Sequence, residues 1–181
     1  MGLSLRANIS AQQPLYFTIG IGIMANTGPA SSSGQLTRSA KVVPLPARAP
    51  ERLVAVGFRC WLAGLSTGDI KCWEDAWNTF SGMLGPENAK TLLLDLSKFV
   101  RAVKANAQRD IEISPVGCRS FCRDECLAIS IIAACQHDER QALTASAAAL
   151  IGSDDIGDTL NGAQALAAAL RKTNQMLCAE S

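Results

Sequence analysis

From Pro50 to about Leu177 the apolar residues recur every three or four positions in one segment after another, the spacing that gives a helix one buried face. No other feature narrows the fold as much. Period-two alternation is confined to Ile111 and Ile113, there is no Asn-Gly hairpin, and no repeat exceeds a dipeptide. The punctuation agrees with the period. Pro50 and Glu51 open a first helix to about Ser66, and Ser66 to Asp69 end it. A second, about 69–84, spaces Trp73, Trp77, Phe80 and Leu84 as one stripe. Gly85-Pro86 then joins a helix stop to a helix start.

The third helix, about 86–107, turns Leu92, Leu93, Leu96, Phe99, Val100 and Val103 inward. Asp110 to Ser114 reads as a connector, short and extended. A fourth helix follows Ser114-Pro115 to about Gln136 and is apolar on nearly every side from Cys126 to Cys135, as befits a central element. Two Ala-rich helices complete the chain, about 138–151 and 154–177, with Ser153 as the N-cap of the last and Asp154, Asp155 and Asp158 near its positive end. The sequence therefore predicts a single compact all-α bundle of about six helices over residues 50–178. Its core is uneven. Trp61, Trp73, Trp77, Phe58, Phe80 and Phe99 pack the first half as ordinary core, while Ala and Cys fill the second.

Ahead of the bundle, residues 1–49 read as a disordered, weakly basic N-terminal arm. The whole chain has 17 basic and 16 acidic residues, yet the first fifty contain Arg6, Arg38, Lys41 and Arg48 with no acid. Ser, Pro and Gly gather from Thr27 to Gly34 and again at Pro44, Pro46 and Pro50. Leu15 to Met24 is an apolar run as long as a signal-peptide h-region, but Gln12, Gln13 and Pro14 precede it and no clear cleavage site follows. A translation start at Met24 would make residues 1–23 an upstream extension.

The seven cysteines, an odd number without framework spacing, fit a reducing cytoplasmic setting. Three of them form the one local constellation with chemical content: Cys118, Cys122 and Cys126, at i, i+4 and i+8. On a continuous helix they would share a face, within about 80° of arc, with Ile129 and Ala133. Cys118 and Cys126 would then lie about 12 Å apart along the axis, too far for one metal to take all three. A pair could hold Cu(I) or zinc with ligands from another helix. This spacing resembles that of the copper-storage helical bundles, which repeat it on several helices; here one helix carries it, and Cys60, Cys72, Cys135 and Cys178 stand singly. The same thiols suit redox sensing, with Arg119 and Arg123 near enough in sequence to lower a thiol pKa. The plainer alternative is that the three cysteines are small packing residues.

Other templates fail. His137, beside Asp138 and Glu139, is the only histidine, so no two-histidine metal site exists within the chain. There is no phosphate-binding G-x-x-x-x-G-K-[ST] loop. Asp154, Asp155 and Asp158 read as capping carboxylates. The near-neutral charge excludes a surface that tracks nucleic acid, and no run of eighteen apolar residues spans a membrane. The sequence thus points to a small, non-catalytic helical module that binds a protein partner or itself and needs no cofactor. The alternative is soft-metal binding or thiol sensing through Cys118, Cys122 and Cys126.

Overall fold

The computed structural model describes residues 49–179; the N-terminal arm, its apolar run and the Met24 start lie outside the described residues. Six helices follow in order: α1 (Ala49–Thr67), α2 (Ile70–Leu84), α3 (Pro86–Asn106), α4 (Arg123–His137), α5 (Arg140–Ile151) and α6 (Gly157–Lys172). Among the described residues there is no strand, and no helix is long and apolar enough to cross a membrane. The all-α bundle expected from the periodicity is what forms.

Helix α1 packs on α2, α3 and α4, α3 lies along α6, and α4 touches α5 and α6. The junctions follow local chemistry. Asp69 caps α2 by accepting the Lys71 N–H at 2.9 Å. Gly85, at φ +79°, takes the left-handed turn that Pro86 then converts into α3. Phe58, Phe80 and Phe99 are buried, with Phe58 and Phe99 tilted at 6.1 Å between centroids. At the other end Ala128, Ala133, Ala147, Ala163 and Ala167 let Ile131, Ile132, Leu150 and Leu166 interlock. The α3–α6 contact is especially close: a Cβ added to Gly162 would meet the Phe99 Cα at 2.8 Å.

Five expectations need correction. Helix α4 begins at Arg123 and not after Pro115, because its first carboxylates bind the preceding loop, as described below. Helix α5 begins at Arg140, since Asp138 takes a left-handed conformation (φ +58°). Helix α6 begins at Gly157, and Ser153 is not its cap: the Ser153 hydroxyl accepts the Asp155 N–H at 3.1 Å in the turn before it. The helix ends at Lys172, where Asn174 turns left-handed (φ +58°) and the Gln175 N–H closes on the Leu170 carbonyl at 2.9 Å. Residues 175–179 are not helical. Trp77, expected in the core, is exposed, while Trp61 and Trp73 pair half-buried at 6.4 Å.

Candidate functional site

The thiol segment belongs to a long loop, residues 107–122, whose course is set by two ion pairs, one buried and one half-buried. The first joins Arg59 of α1 to Glu125 of α4, at 1% and 0% exposure. Arg59 Nε donates to Glu125 Oε1 at 2.6 Å and Nη2 to Oε2 at 2.9 Å. The other guanidinium hydrogens meet loop carbonyls: Nη1 donates to Pro115 (3.4 Å) and Cys118 (2.8 Å), and Nη2 to Ser120 (2.9 Å). All five N–H donors of the guanidinium are thereby used. Glu125 is equally saturated, accepting in addition the Ser114 N–H (3.1 Å), the Ser114 hydroxyl (3.0 Å) and the Cys122 N–H (2.9 Å). Burial pushes the Glu125 carboxyl up, but the Arg59 hydrogen bond and charge and the Cys122 and Ser114 donors outweigh it and hold the group below its ordinary value.

The second pair uses the adjacent residue. Arg109 grips Asp124 through both terminal nitrogens, at 2.8 and 2.6 Å, and donates to the carbonyls of Ala149 and Asp110. Asp124 also accepts the Glu112 N–H at 2.8 Å. Two neighbouring carboxylates in the first turn of α4 therefore fix both ends of the loop, and this is why the helix starts at Arg123. Extending it back to Ser114 would take the Cys122 amide and the Cys118 and Ser120 carbonyls away from ionised partners. Charge-assisted bonds are roughly twice as strong as the neutral helical bonds that would replace them.

This start separates the three thiols. Cys118 is exposed in a turn closed by its N–H on the Pro115 carbonyl at 3.0 Å, with Gly117 at φ +91°. Cys122 is the half-buried N-cap of α4, its thiol donating to the Glu112 carbonyl at 3.2 Å. Cys126 lies in the first turn of α4. The shared helix face, on which the metal and redox readings of Cys118, Cys122 and Cys126 both relied, is therefore absent. Among the described residues no three His, Cys, Asp or Glu side chains are grouped to hold a metal ion.

The thiols differ electrostatically. The hydrogen bond between Cys118 and the Ser120 hydroxyl (3.1 Å) holds the Cys118 thiol below its ordinary 9.0, with Arg59 adding to the effect in place of the expected Arg119 and Arg123. Burial raises Cys122, and pushes Cys60 and Cys135 up to about 11. Cys135 borders a cavity of about 350 Å³ with Arg140 and Arg171, which none of Cys118, Cys122 and Cys126 lines.

Sequence reasoning missed Arg59, Glu125, Arg109 and Asp124. The signal was there for one pair: Arg59 is the only charge between Leu53 and Leu65, and a lone charge inside an apolar helix requires a buried partner. His137, expected to be solvated, is exposed but bonds the Leu177 carbonyl at 2.9 Å. Trp77 keeps its place on an apolar stripe while facing water. Comparison with known proteins adds no relative: no family model, no curated protein and no solved structure matches the chain.

Proposed function

We propose that the chain is a non-catalytic interaction module that binds a protein partner, or a second copy of itself, through the outer face of α2. The observation that carries this reading is the exposure of Ile70 (66%) and Trp77 (40%), seven residues and two turns apart on one face of that helix. Six large apolar residues are exposed among the described residues, and four of them, Ile70, Trp77, Met83 and Leu94, lie on α2 and its neighbour α3. Tryptophan is among the residues that most often anchor interfaces. The buried charges support the same reading, because Arg59, Glu125, Arg109 and Asp124 are committed to bonds within the chain.

The test is affinity capture from native extract with the wild type and with Ile70→Glu/Trp77→Glu. Ile70 is 66% and Trp77 40% exposed, so the double variant should keep the helical fold, which circular dichroism checks. A discrete partner, or a second copy, retained by the wild type and lost by the double variant is the expected result. Identical retention by the two proteins would overturn the reading.

A second reading, thiol sensing, is favoured by one observation: Cys118 is exposed and carries a lowered thiol on a loop whose carbonyls are held by Arg59. It requires only Cys118, and not the three-cysteine set. Mild peroxide followed by mass spectrometry should then modify Cys118 ahead of the six other cysteines; equal or later modification would remove this reading.

A further inference from the structure

After α6 the chain turns at Asn174 and lays residues 175–178 between the end of α4 and the start of α1. Four of the hydrogen bonds that hold this segment run between side chains of the helical body and its main chain. The Gln136 amide donates to the Gln175 carbonyl (2.9 Å) and accepts the Leu177 N–H (2.8 Å). His137 bonds the Leu177 carbonyl at 2.9 Å, and Glu51 of α1 accepts the Cys178 N–H at 2.8 Å. Gln175 and Leu177 bond to α4 and Cys178 bonds to α1, the every-other-residue pattern that an extended chain offers to two neighbours. One side chain is read as well: Leu177 is 2% exposed and joins the core, while Met176 faces water. Arg171 braces the groove by donating to the Cys135 and Gln136 carbonyls that end α4.

We propose that this groove is a binding site for an extended segment of a partner protein with leucine at its centre, and that the chain's own C-terminal segment occupies it in cis. The recognition chemistry is that of peptide sites, where main-chain hydrogen bonds provide affinity and one pocket provides selectivity. Glu51 narrows the ligand further. It is 4% exposed, and while its Oε1 takes the Cys178 N–H, its buried Oε2 makes no hydrogen bond. A buried acceptor left unmet is costly. A partner with a serine, threonine or lysine just after the leucine brings the missing donor, which gives it an advantage over the resident segment. The site is remote in sequence from Ile70 and Trp77, and the proposal does not rest on the α2 face.

The probe is a fluorescein-labelled peptide of residues 173–181 with Cys178→Ser, titrated into the full chain. A tethered segment competes at an effective concentration of about millimolar, so the wild type should bind weakly. Leu177→Asp, which removes the resident leucine from its pocket, should bind the peptide at least tenfold more tightly, and adding Gln136→Ala should reverse that gain. A folded Leu177→Asp protein that gains no affinity would overturn the proposal, as would a dimer in which the segments exchange between copies. Hydrogen exchange on the wild type decides the matter if that variant does not fold. The Leu177 and Cys178 amides should exchange at least 100-fold faster than those of Ile131 and Ile132 in α4; equal rates would make the segment a permanent part of the core and overturn the proposal.

Discussion

Replacing Arg59 by methionine tests most of the structural argument at once. Methionine fills a similar volume, so the packing loss is small and the dominant effect is electrostatic. Glu125 stays at 0% exposure, loses its counter-ion and two of its five hydrogen bonds, and keeps only Ser114 and Cys122. Breaking a buried pair on one side costs about 3–5 kcal/mol. Against a total stability of roughly 5–15 kcal/mol, that is a large fraction. The loop carbonyls of Pro115, Cys118 and Ser120 are on exposed residues and can turn to water, so they add little.

The pH dependence identifies the cause. In the wild type Glu125 has a depressed pKa, so its contribution is present above the ordinary 4.5 and lost as pH falls through the lower folded value. In Arg59→Met the carboxylate loses the charge that offsets its burial and keeps only the Ser114 and Cys122 donors, so the sign reverses: the variant is least penalised at low pH, where the carboxyl protonates. Urea denaturation followed by circular dichroism at several pH values should therefore show a deficit of about 3–5 kcal/mol at pH 7 that shrinks toward pH 4. Arg59→Met/Glu125→Leu, which removes both charges, should recover most of it. A deficit below about 1 kcal/mol, the median worth of a surface pair, or one independent of pH, would refute the reasoning.

Three further outcomes follow from the same geometry. Gly162→Ala should destabilise by about 1–3 kcal/mol, since the new Cβ meets backbone at Phe99 and nothing flexible can yield; a neutral result in the same urea assay would mean that α3 and α6 are less closely packed. Alkylation by iodoacetamide should modify Cys118 first, with a pH midpoint below 9.0, and Ser120→Ala should raise that midpoint; a midpoint unmoved by Ser120→Ala would remove the role of that hydroxyl. Cys60 and Cys135, raised by burial, contribute stability that is complete below pH 9.0 and is lost as pH rises toward about 11. Cys60→Ala/Cys135→Ala should flatten the alkaline limb of the stability curve, and an unchanged limb would count against this cause.

The helices of the first half were legible because their boundaries are local: Asp69 as a cap, and Gly85 with Pro86 as a stop and start. The start of α4 was not, because periodicity continues smoothly through Cys118, Cys122 and Cys126 and carries no trace of Arg59, 66 residues from Glu125. The end of α6 was obscured for the same reason, since Leu177 continues the apolar rhythm while its amide answers Gln136, 41 residues earlier. In both places a buried polar side chain takes main-chain groups that a helix would otherwise use. The candidate site suffered most from this: a shared thiol face is a property of a continuous helix, and the loop that replaces it exposes Cys118 while Cys122 and Cys126 are half-buried.

Photo-crosslinking tests the proposed role most directly. With p-benzoylphenylalanine in place of Trp77, and at the exposed Arg101 of α3 as a control, irradiation in native extract should yield one adduct of discrete mass from position 77 and none from position 101. The absence of an adduct at 77, or the same adducts from both positions, would contradict a binding face on α2.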